Sequence, residues 1–389
     1  MSVYLDYNAT TPVDPRVVET MLPYFSEGFG NASSIHSAGQ HARAAVDAAR
    51  ESVARLVGAT PGEIVFTSGG TEADNLALLG TIAASGQTRK HVITTAIEHH
   101  AVLNTCQALE KQGIEVSYVR VGSEGIVDPD DVRRALRPQT ILISVMQANN
   151  EIGTIQPVEE IGRIAAEADI CFHCDAVQSA GKLRLDVNRL GADLLSISAH
   201  KIYGPKGVGA LYVRPRTPLE PQSFGGHHER DLRPGTENVP GIVGLGKAAD
   251  LALAHLEAEA DRIASLRNRL EESLLDSVSD VRVNGDKMHR VSNTTNLTFA
   301  AAGGEALLIA LDLEGIACST GAACSSGAVE PSHVLTAIGL SNDEARSSLR
   351  FSLGRSTTAA EIDEAIRVIP RVVERIRAFS PRAATIIAR

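Results

Sequence analysis

Apolar runs rich in Val and Ile alternate with amphipathic stretches between about residue 63 and residue 213. The runs predict buried strands at 63–67, 91–95, 114–119, 140–146, 170–174, 193–198 and 209–213. The stretches between them carry apolar residues at helical spacing, at 72–84, 101–112, 130–136 and 158–168. Repeated βα units of this kind predict an α/β fold with a mostly parallel, seven-stranded sheet.

The pattern changes after residue 240, where a helical stretch rich in Ala, Leu and Glu extends to about residue 275. The remainder predicts short strands at 281–283, 295–299 and 349–353, and helices at 305–313, 331–338 and 360–378. Pro370 is expected to kink or split the last helix. We therefore predict a large domain at 15–255 and a smaller α+β domain formed by 1–14 and 256–389.

Composition narrows the class of protein. The chain has 389 residues, of which 43% are hydrophobic, enough to bury the cores of two domains. Its net charge of −10 argues against direct binding to nucleic acid or to an anionic membrane. No apolar run approaches the roughly 18 residues of a membrane span, and the first residues do not resemble a signal peptide. We therefore expect a cytoplasmic protein whose five cysteines are free thiols.

A lysine and a carboxylate each follow a predicted buried strand. The run at 193–198 leads through Ala199 and His200 into Lys201, and the run at 170–174 is followed by Asp175. Enzymes that use pyridoxal phosphate (PLP) need a lysine to hold the cofactor's aldehyde as a Schiff base and a carboxylate to keep its ring nitrogen protonated. The pair therefore predicts a PLP site.

The turn at 67–71 reads Thr-Ser-Gly-Gly-Thr and lies between a predicted strand and a predicted helix. Its backbone amides and the helix dipole are suited to holding a phosphate group, with Gly70 and Thr71 at the helix start. Ser198 and His200 could supply further donors. Taken alone, the turn is equally explained as an ordinary connection with a Thr N-cap.

His99 and its neighbour His100 follow the strand at 91–95 and open a helix. In open α/β sheets, ligands bind at the carboxyl ends of the strands, so a histidine there is suited to stacking on a flat cofactor and moving protons. The alternatives are a helix start without function, or half of a zinc site shared with Cys174 or with the histidine pair at 227–228. The adjacent histidine pairs lack the helical i, i+4 spacing of metal ligands, so no catalytic metal is expected.

The segment 317–331 consists mostly of small residues and has Cys324 near its middle. This composition predicts a mobile loop that presents an accessible thiol. The alternative, a cysteine buried as a small hydrophobe, suits Cys106, Cys171 and Cys174, which lie on a predicted helix or core strand.

These residues stand within a longer set of motifs that resembles the group I cysteine desulfurases of the NifS/IscS type. These are class V, fold-type I PLP-dependent transferases. The similarity runs through almost the whole chain, at 4–12, 31–36, 67–75, 149–153, 200–209, 233–236 and 348–355.

The resemblance implies a role for each matching position. Lys201 would be the Schiff-base lysine and the base at Cα, and Cys324 the nucleophile. His99 would stack on the ring and take the substrate thiol's proton. The implied cofactor contacts are Asp175 at the ring nitrogen, Gln178 at the ring hydroxyl, and Gly70, Thr71, Ser198 and His200 at the phosphate. Thr236 would reach the phosphate of a neighbouring subunit, which implies a homodimer. Asn150 and Arg350 would bind the substrate carboxylate, and Asn150 would also contact the cofactor.

The implied reaction converts L-cysteine to L-alanine and leaves a persulfide on Cys324 for a sulfur-acceptor protein of iron–sulfur cluster assembly or tRNA thiolation. Contact between Cys324 and an iron–sulfur cluster during transfer is an open hypothesis. Cys318 departs from the family pattern, and its alternatives are attack on that persulfide or packing in the small domain. Other open functions are a selenocysteine lyase, an aminotransferase of the same fold, and a non-catalytic scaffold.

Overall fold

The computed structural model describes residues 2–320 and 330–379. Its strands, in chain order, are β1 (Val3–Tyr4), β2 (Ile64–Thr67), β3 (His91–Thr95), β4 (Glu115–Val119), β5 (Thr140–Met146), β6 (Cys171–Asp175), β7 (Leu194–Ser198), β8 (Gly209–Val213), β9 (Val281–Val283), β10 (Thr294–Phe299), β11 (Ile316–Ala317) and β12 (Ser348–Ser352).

The helices in the described residues are α1 (Pro15–Met21), α2 (Ser37–Val57), α3 (Gly70–Ala84), α4 (His100–Glu110), α5 (Pro129–Ala135), α6 (Val158–Glu167), α7 (Val187–Leu190), α8 (Val239–Ser277), α9 (Gly304–Leu313), α10 (His333–Ala337), α11 (Asn342–Arg346) and α12 (Ala359–Ala378).

Seven strands form one sheet in the order β2-β8-β7-β6-β5-β3-β4. β8 is antiparallel to both β2 and β7, and the other neighbours are parallel, which confirms the predicted α/β class. Because β3, β5, β6 and β7 run in the same direction, their carboxyl ends lie at one edge of the sheet. The residues that follow these strands are thereby brought together.

Both faces of this sheet are buried, which explains why its strands read as continuous apolar runs. Along β5, for example, Leu142 packs in a cluster with α3 and α4, whereas Ile143 packs on the opposite face with α2, α6 and α8. Successive side chains alternate between the two cores as the pleat requires.

A second hydrophobic core lies around the antiparallel sheet β9-β10-β12 and the helices α9 and α12. The N-terminal strand β1 belongs to it, because Val3 and Leu5 pack there and β1 pairs in parallel with β11. α8 runs from one core to the other, with Ala252 in the first and Ile263 in the second. The division of the chain into domains at residue 255 stays a prediction.

The structure adds three helical features to the predicted elements. α2 was not predicted, and it packs its buried face against α8. α12 is continuous and is not split at Pro370, because buried residues on either side, Ile369 and Val372, hold it against the second core. α8 is long and apolar enough by composition to cross a membrane, but 67% of its most apolar window is buried within the fold.

Candidate active site

A cavity of about 340 Å³ opens at the edge of the sheet where the parallel strands end. Ten of the residues predicted for the site line it: Gly70, Thr71, His99, Asn150, Asp175, Gln178, Ser198, His200, Lys201 and Arg350. These ten residues come from six separate segments of the chain. Asn8, Asp74 and Ser319, which were not predicted, also line it.

Lys201 ends a short 3₁₀ turn (Ala199–Lys201) directly after β7. Its Nζ donates hydrogen bonds to the backbone oxygens of Asn8 at 2.5 Å and Ala9 at 2.7 Å. Burial, reinforced by the charge of Arg350, lowers the pKa of Lys201 to about 8. A larger share of the amine is therefore unprotonated at neutral pH than in an exposed lysine, as attack on a carbonyl carbon requires.

Asp175 is the last residue of β6 and is 4% exposed. Its Oδ1 accepts a hydrogen bond from the Val177 N–H at 2.9 Å. Burial raises its pKa to about 6, against the opposing effects of this hydrogen bond and of Lys201. Asp74 lies close by, and its buried Oδ1 has no hydrogen-bond partner among the described residues. Two buried carboxyl groups at one wall make this part of the cavity suitable for a cationic ring nitrogen.

The predicted phosphate turn has a backbone that only glycine permits. A Cβ on Gly70 would lie 2.7 Å from the Val177 Cγ2 atom, and Gly69 has a φ of +156°. α3 begins at Gly70, so its free amides face the cavity edge where Ser198 also lies. A 15-residue helix that starts here, next to a hydroxyl group, is a suitable site for a phosphate.

His200 borders the same region, and its Nδ1 lies 3.1 Å from Thr10 Oγ1. Burial, followed by the charge of Lys201, lowers the pKa of His200 to about 4, so the ring is neutral at physiological pH. A neutral ring can still donate one hydrogen bond to an anion.

His99 is the N-cap of α4, and its Nδ1 accepts a hydrogen bond from the Ala101 N–H at 3.1 Å. Burial, reinforced by the charge of Lys201, lowers its pKa to about 4. The neutral ring therefore carries its proton on Nε2, because Nδ1 is occupied as an acceptor. This tautomer presents an N–H rather than a lone pair, whereas the sequence led us to expect an acceptor for the substrate thiol's proton.

Arg350 lies in the middle of β12 and is 4% exposed. Its Nη1 donates to the backbone oxygen of Asn150 at 2.9 Å, and its Nη2 donates to Asp6 Oδ1 at 2.7 Å. Its Nε is buried and has no partner among the described residues. The guanidinium is thus held in place by two contacts while part of its donor fork remains available to an anion.

Gln178 is fixed at both ends of its amide. Its Nε2 donates to the backbone oxygen of Asn8 at 3.0 Å, and its Oε1 accepts from Lys182 Nζ at 2.8 Å. Lys182 also lies 3.3 Å from Asn8 Oδ1. Sequence reasoning missed both Asn8 and Lys182. The spacing of four residues between Gln178 and Lys182 was an available signal, whereas Asn8 reaches the site only through the tertiary fold.

Thr236 and Cys324 need separate comment. Thr236 is exposed and precedes α8, outside the pocket of its own chain. Cys324 lies outside the described residues. Its predicted contact with an iron–sulfur cluster therefore stays a hypothesis. Ser319, close to the end of the first described range, does line the cavity.

The other cysteines pack as hydrophobic residues. Cys106 and Cys174 are buried in the cores on the two faces of the large sheet, and Cys171 is partly buried there. Cys318 follows β11 and packs against the second core, and burial raises the pKa of its thiol. This environment agrees with the packing alternative for Cys318. Within 2–320 and 330–379, no group of three His, Cys, Asp or Glu residues is placed to hold a metal ion.

Comparisons with known proteins agree with this geometry. The family model described as "Aminotransferase class-V" matches residues 3–365. The cysteine desulfurase IscS of Dictyoglomus turgidum is 51% identical over 97% of this chain and 96% of its own. Among solved structures, a NifS-like protein superposes with a TM-score of 0.91 at 38% identity, covering 96% of this chain and 100% of its own. SspA in complex with cysteine gives 0.82 at 42% identity, covering 90% and 99%.

The fold and the cavity together define a fold-type I, PLP-dependent enzyme. More narrowly, the chain belongs to the class-V aminotransferase family, among the cysteine desulfurases of the IscS and NifS group. The cavity suits the cofactor of that family: it combines a lysine with a lowered pKa, a buried carboxylate and a helix N-terminus opened by glycines. The Arg350 Nε, which has no hydrogen-bond partner among the described residues, marks a polar wall that a bound molecule would complete.

Proposed function

We propose that this protein is a PLP-dependent cysteine desulfurase that converts L-cysteine to L-alanine and passes the sulfur, as a persulfide on Cys324, to an acceptor protein. The observation that carries the proposal is the cavity itself, where Lys201, Asp175 and Arg350 lie together on three separate segments. A lysine and a carboxylate suit the cofactor, and the arginine suits the carboxylate of an amino acid substrate.

Bound PLP would supply an electron sink for the negative charge that develops at Cα. Lys201 would hold the cofactor covalently, and Asp175 would keep the ring nitrogen protonated. The amides at the start of α3, with Thr71, Ser198 and His200, would hold the phosphate. Lys201 would also be the base for the Cα proton, because its lowered pKa of about 8 leaves a larger share of the amine unprotonated near neutral pH than in an exposed lysine.

The substrate carboxylate would bind the free part of the Arg350 guanidinium, with Asn150 beside it. His99 would then stand over the reacting carbons with an N–H on Nε2. We assign the Nε2–H of this ring a hydrogen bond to the bound substrate, since Nδ1 already accepts a hydrogen bond from Ala101.

In the sulfur step, the Cys324 thiolate attacks the substrate sulfur. The Cβ–S bond of cysteine breaks, an S–S bond forms at Cys324, and the electron pair left on Cβ takes up a proton. L-cysteine and the enzyme thiol thus become L-alanine and the enzyme persulfide, with no external oxidant or reductant. The step depends on the thiolate fraction of Cys324.

We further propose a cytoplasmic homodimer in which Thr236 completes the phosphate site of the partner subunit. The exposed position of Thr236, outside its own chain's cavity, supports this assignment. The acceptor would be an iron–sulfur scaffold or a tRNA-thiolation protein, and its identity does not affect the first half reaction.

The test is to incubate the purified, PLP-loaded protein with L-cysteine, with and without a thiol reductant. Alanine and sulfide should form in equal amounts with reductant. Without reductant, alanine should stop at about one equivalent per active site while the persulfide persists. Formation of a keto acid instead would identify an aminotransferase, and turnover of L-selenocysteine alone would identify a selenocysteine lyase.

A further inference from the structure

We propose that Lys182 is a positioning residue of this site, which fixes the Gln178 amide so that its NH₂ group faces the cofactor cavity. The inference rests on the proposed function, since it assigns Gln178 to the ring hydroxyl of PLP. Lys182 itself does not line the cavity, and no motif singled it out.

Lys182 follows Gln178 by four residues, and both lie in the turns after β6. The lysine ammonium contacts the oxygen of the Gln178 amide. Nζ lies 2.8 Å from Gln178 Oε1, and Gln178 is only 6% exposed. The other end of the amide donates to the backbone oxygen of Asn8 at 3.0 Å. Among the described residues, the Oε1 atom and one hydrogen of Nε2 have protein partners, which leaves the second hydrogen of Nε2 for a ligand.

The chemistry of the two groups sets the orientation of the amide. An ammonium has three donors and no acceptor, so only the amide oxygen can face it. The NH₂ group is consequently directed away from Lys182. A hydrogen bond from a cation also polarises the amide, which makes its N–H a stronger donor on the opposite side. Both effects favour a negatively charged oxygen on the ring over a neutral one.

Lys182 is coupled to the rest of the site as well. Its Nζ lies 3.3 Å from Asn8 Oδ1, and the backbone oxygen of Asn8 accepts from Lys201. Burial, followed by the charges of Lys201 and Arg350, lowers the pKa of Lys182 to about 7. The anionic groups of a bound cofactor would favour the ammonium form. Of the two side-chain contacts of Lys182, the one with Gln178 is the shorter.

The experiment is a double-mutant cycle on the PLP-loaded protein with Lys182→Met, Gln178→Leu and the double variant. The main readout is the pH midpoint of the bound cofactor's visible absorption, supported by the PLP dissociation constant and by kcat and KM for L-cysteine. Lys182→Arg tests rescue by another cationic donor, and Lys111→Met is a matched control at an exposed lysine. Thermal unfolding checks each fold, with Lys182→Leu as a second variant.

Lys182→Met should shift the absorption midpoint upward by roughly one pH unit and lower kcat about tenfold, because a charge-assisted hydrogen bond to the ring oxygen is weakened. In the Gln178→Leu background, Lys182→Met should cause little further shift of the absorption midpoint. Lys182→Arg should restore most of the midpoint, and Lys111→Met should match the parent.

Two results would overturn the role of Lys182. One is a midpoint in Lys182→Met equal to that of the parent. The other is an equal shift in the presence and absence of Gln178, which would mean that the lysine acts only through its charge. A parent protein that binds no PLP, or makes no alanine from cysteine, would instead overturn the proposed function. The two failures are therefore distinguishable.

Discussion

The assignment of Arg350 to the substrate carboxylate leads to a quantitative prediction for Arg350→Lys. In the structure, the guanidinium already donates to Asn150 and Asp6, which leaves Nε and the remaining N–H groups for a ligand. A lysine keeps the charge but has a single nitrogen, so it cannot hold both protein contacts and also bind a carboxylate through two donors.

The magnitude follows from the loss of one charge-assisted hydrogen bond. Such a bond contributes about 1.5–3 kcal/mol, which corresponds to roughly 10- to 150-fold in a binding constant. Because lysine retains the charge, the lower end applies, and we expect KM for L-cysteine to rise about tenfold. kcat should change less, since the carboxylate takes no part in the bond changes and binds equally in ground and transition states.

The assay measures alanine formation across a range of L-cysteine concentrations, with L-cysteinamide as a second substrate that lacks the carboxylate. The parent enzyme should prefer L-cysteine, and Arg350→Lys should lose most of that preference. Arg346→Lys, at an exposed position on α11, is the matched control. An unchanged preference in Arg350→Lys, or a loss confined to kcat, would refute the carboxylate assignment.

Three further predictions follow from other residues. Borohydride treatment of the yellow holoenzyme should fix the cofactor to the peptide containing Lys201, and labelling at another lysine would contradict the assignment. Cys324→Ser should still bind L-cysteine, seen as a change in cofactor absorption, but should release almost no alanine; normal turnover would place the nucleophile elsewhere. Burial raises the pKa of Glu98 to about 8. Between the pKa of this group in the unfolded chain and pH 8, the folded state therefore keeps a proton that the unfolded state loses. The free energy of unfolding falls as the pH rises through this range. Glu98→Gln should remove on the order of 3 kcal/mol of this loss between pH 5 and pH 8 in urea unfolding, and a pH-independent difference from the parent would contradict it.

The parts of the site that sequence could predict are those that follow strands. Asp175 and Ser198 end β6 and β7, so the alternation of apolar runs was enough to place them at one edge of the sheet. α2 was predictable but missed: its buried residues Ala42, Val46, Ala49 and Val53 have helical spacing. The detailed roles came from the resemblance to a family rather than from periodicity.

Other contacts depend on the tertiary fold and have no local signal. The backbone oxygen of Asn8 accepts a hydrogen bond from Gln178, which lies 170 positions away in the chain. No sequence pattern near Asn8 predicts that contact. The tautomer of His99 is likewise set by a hydrogen bond to its own helix, which the sequence Glu-His-His does not reveal. Cys324 lies outside the described residues, and its predicted role stays a prediction that the Cys324→Ser variant tests.

The N-terminal segment has a consequence for how the enzyme is made. Val3 pairs with Ile316 in β11, and the Asn8 N–H donates to the Ser352 hydroxyl, 344 residues later in the chain. The backbone oxygens of Asn8 and Ala9 accept hydrogen bonds from Lys201, so this segment can complete its contacts at the catalytic lysine only after β12 has been synthesised. During translation the large sheet can form early, whereas the active site is completed nearly last. A nascent chain arrested before β12 should therefore hold a folded sheet and yet fail to acquire the yellow colour of the bound cofactor.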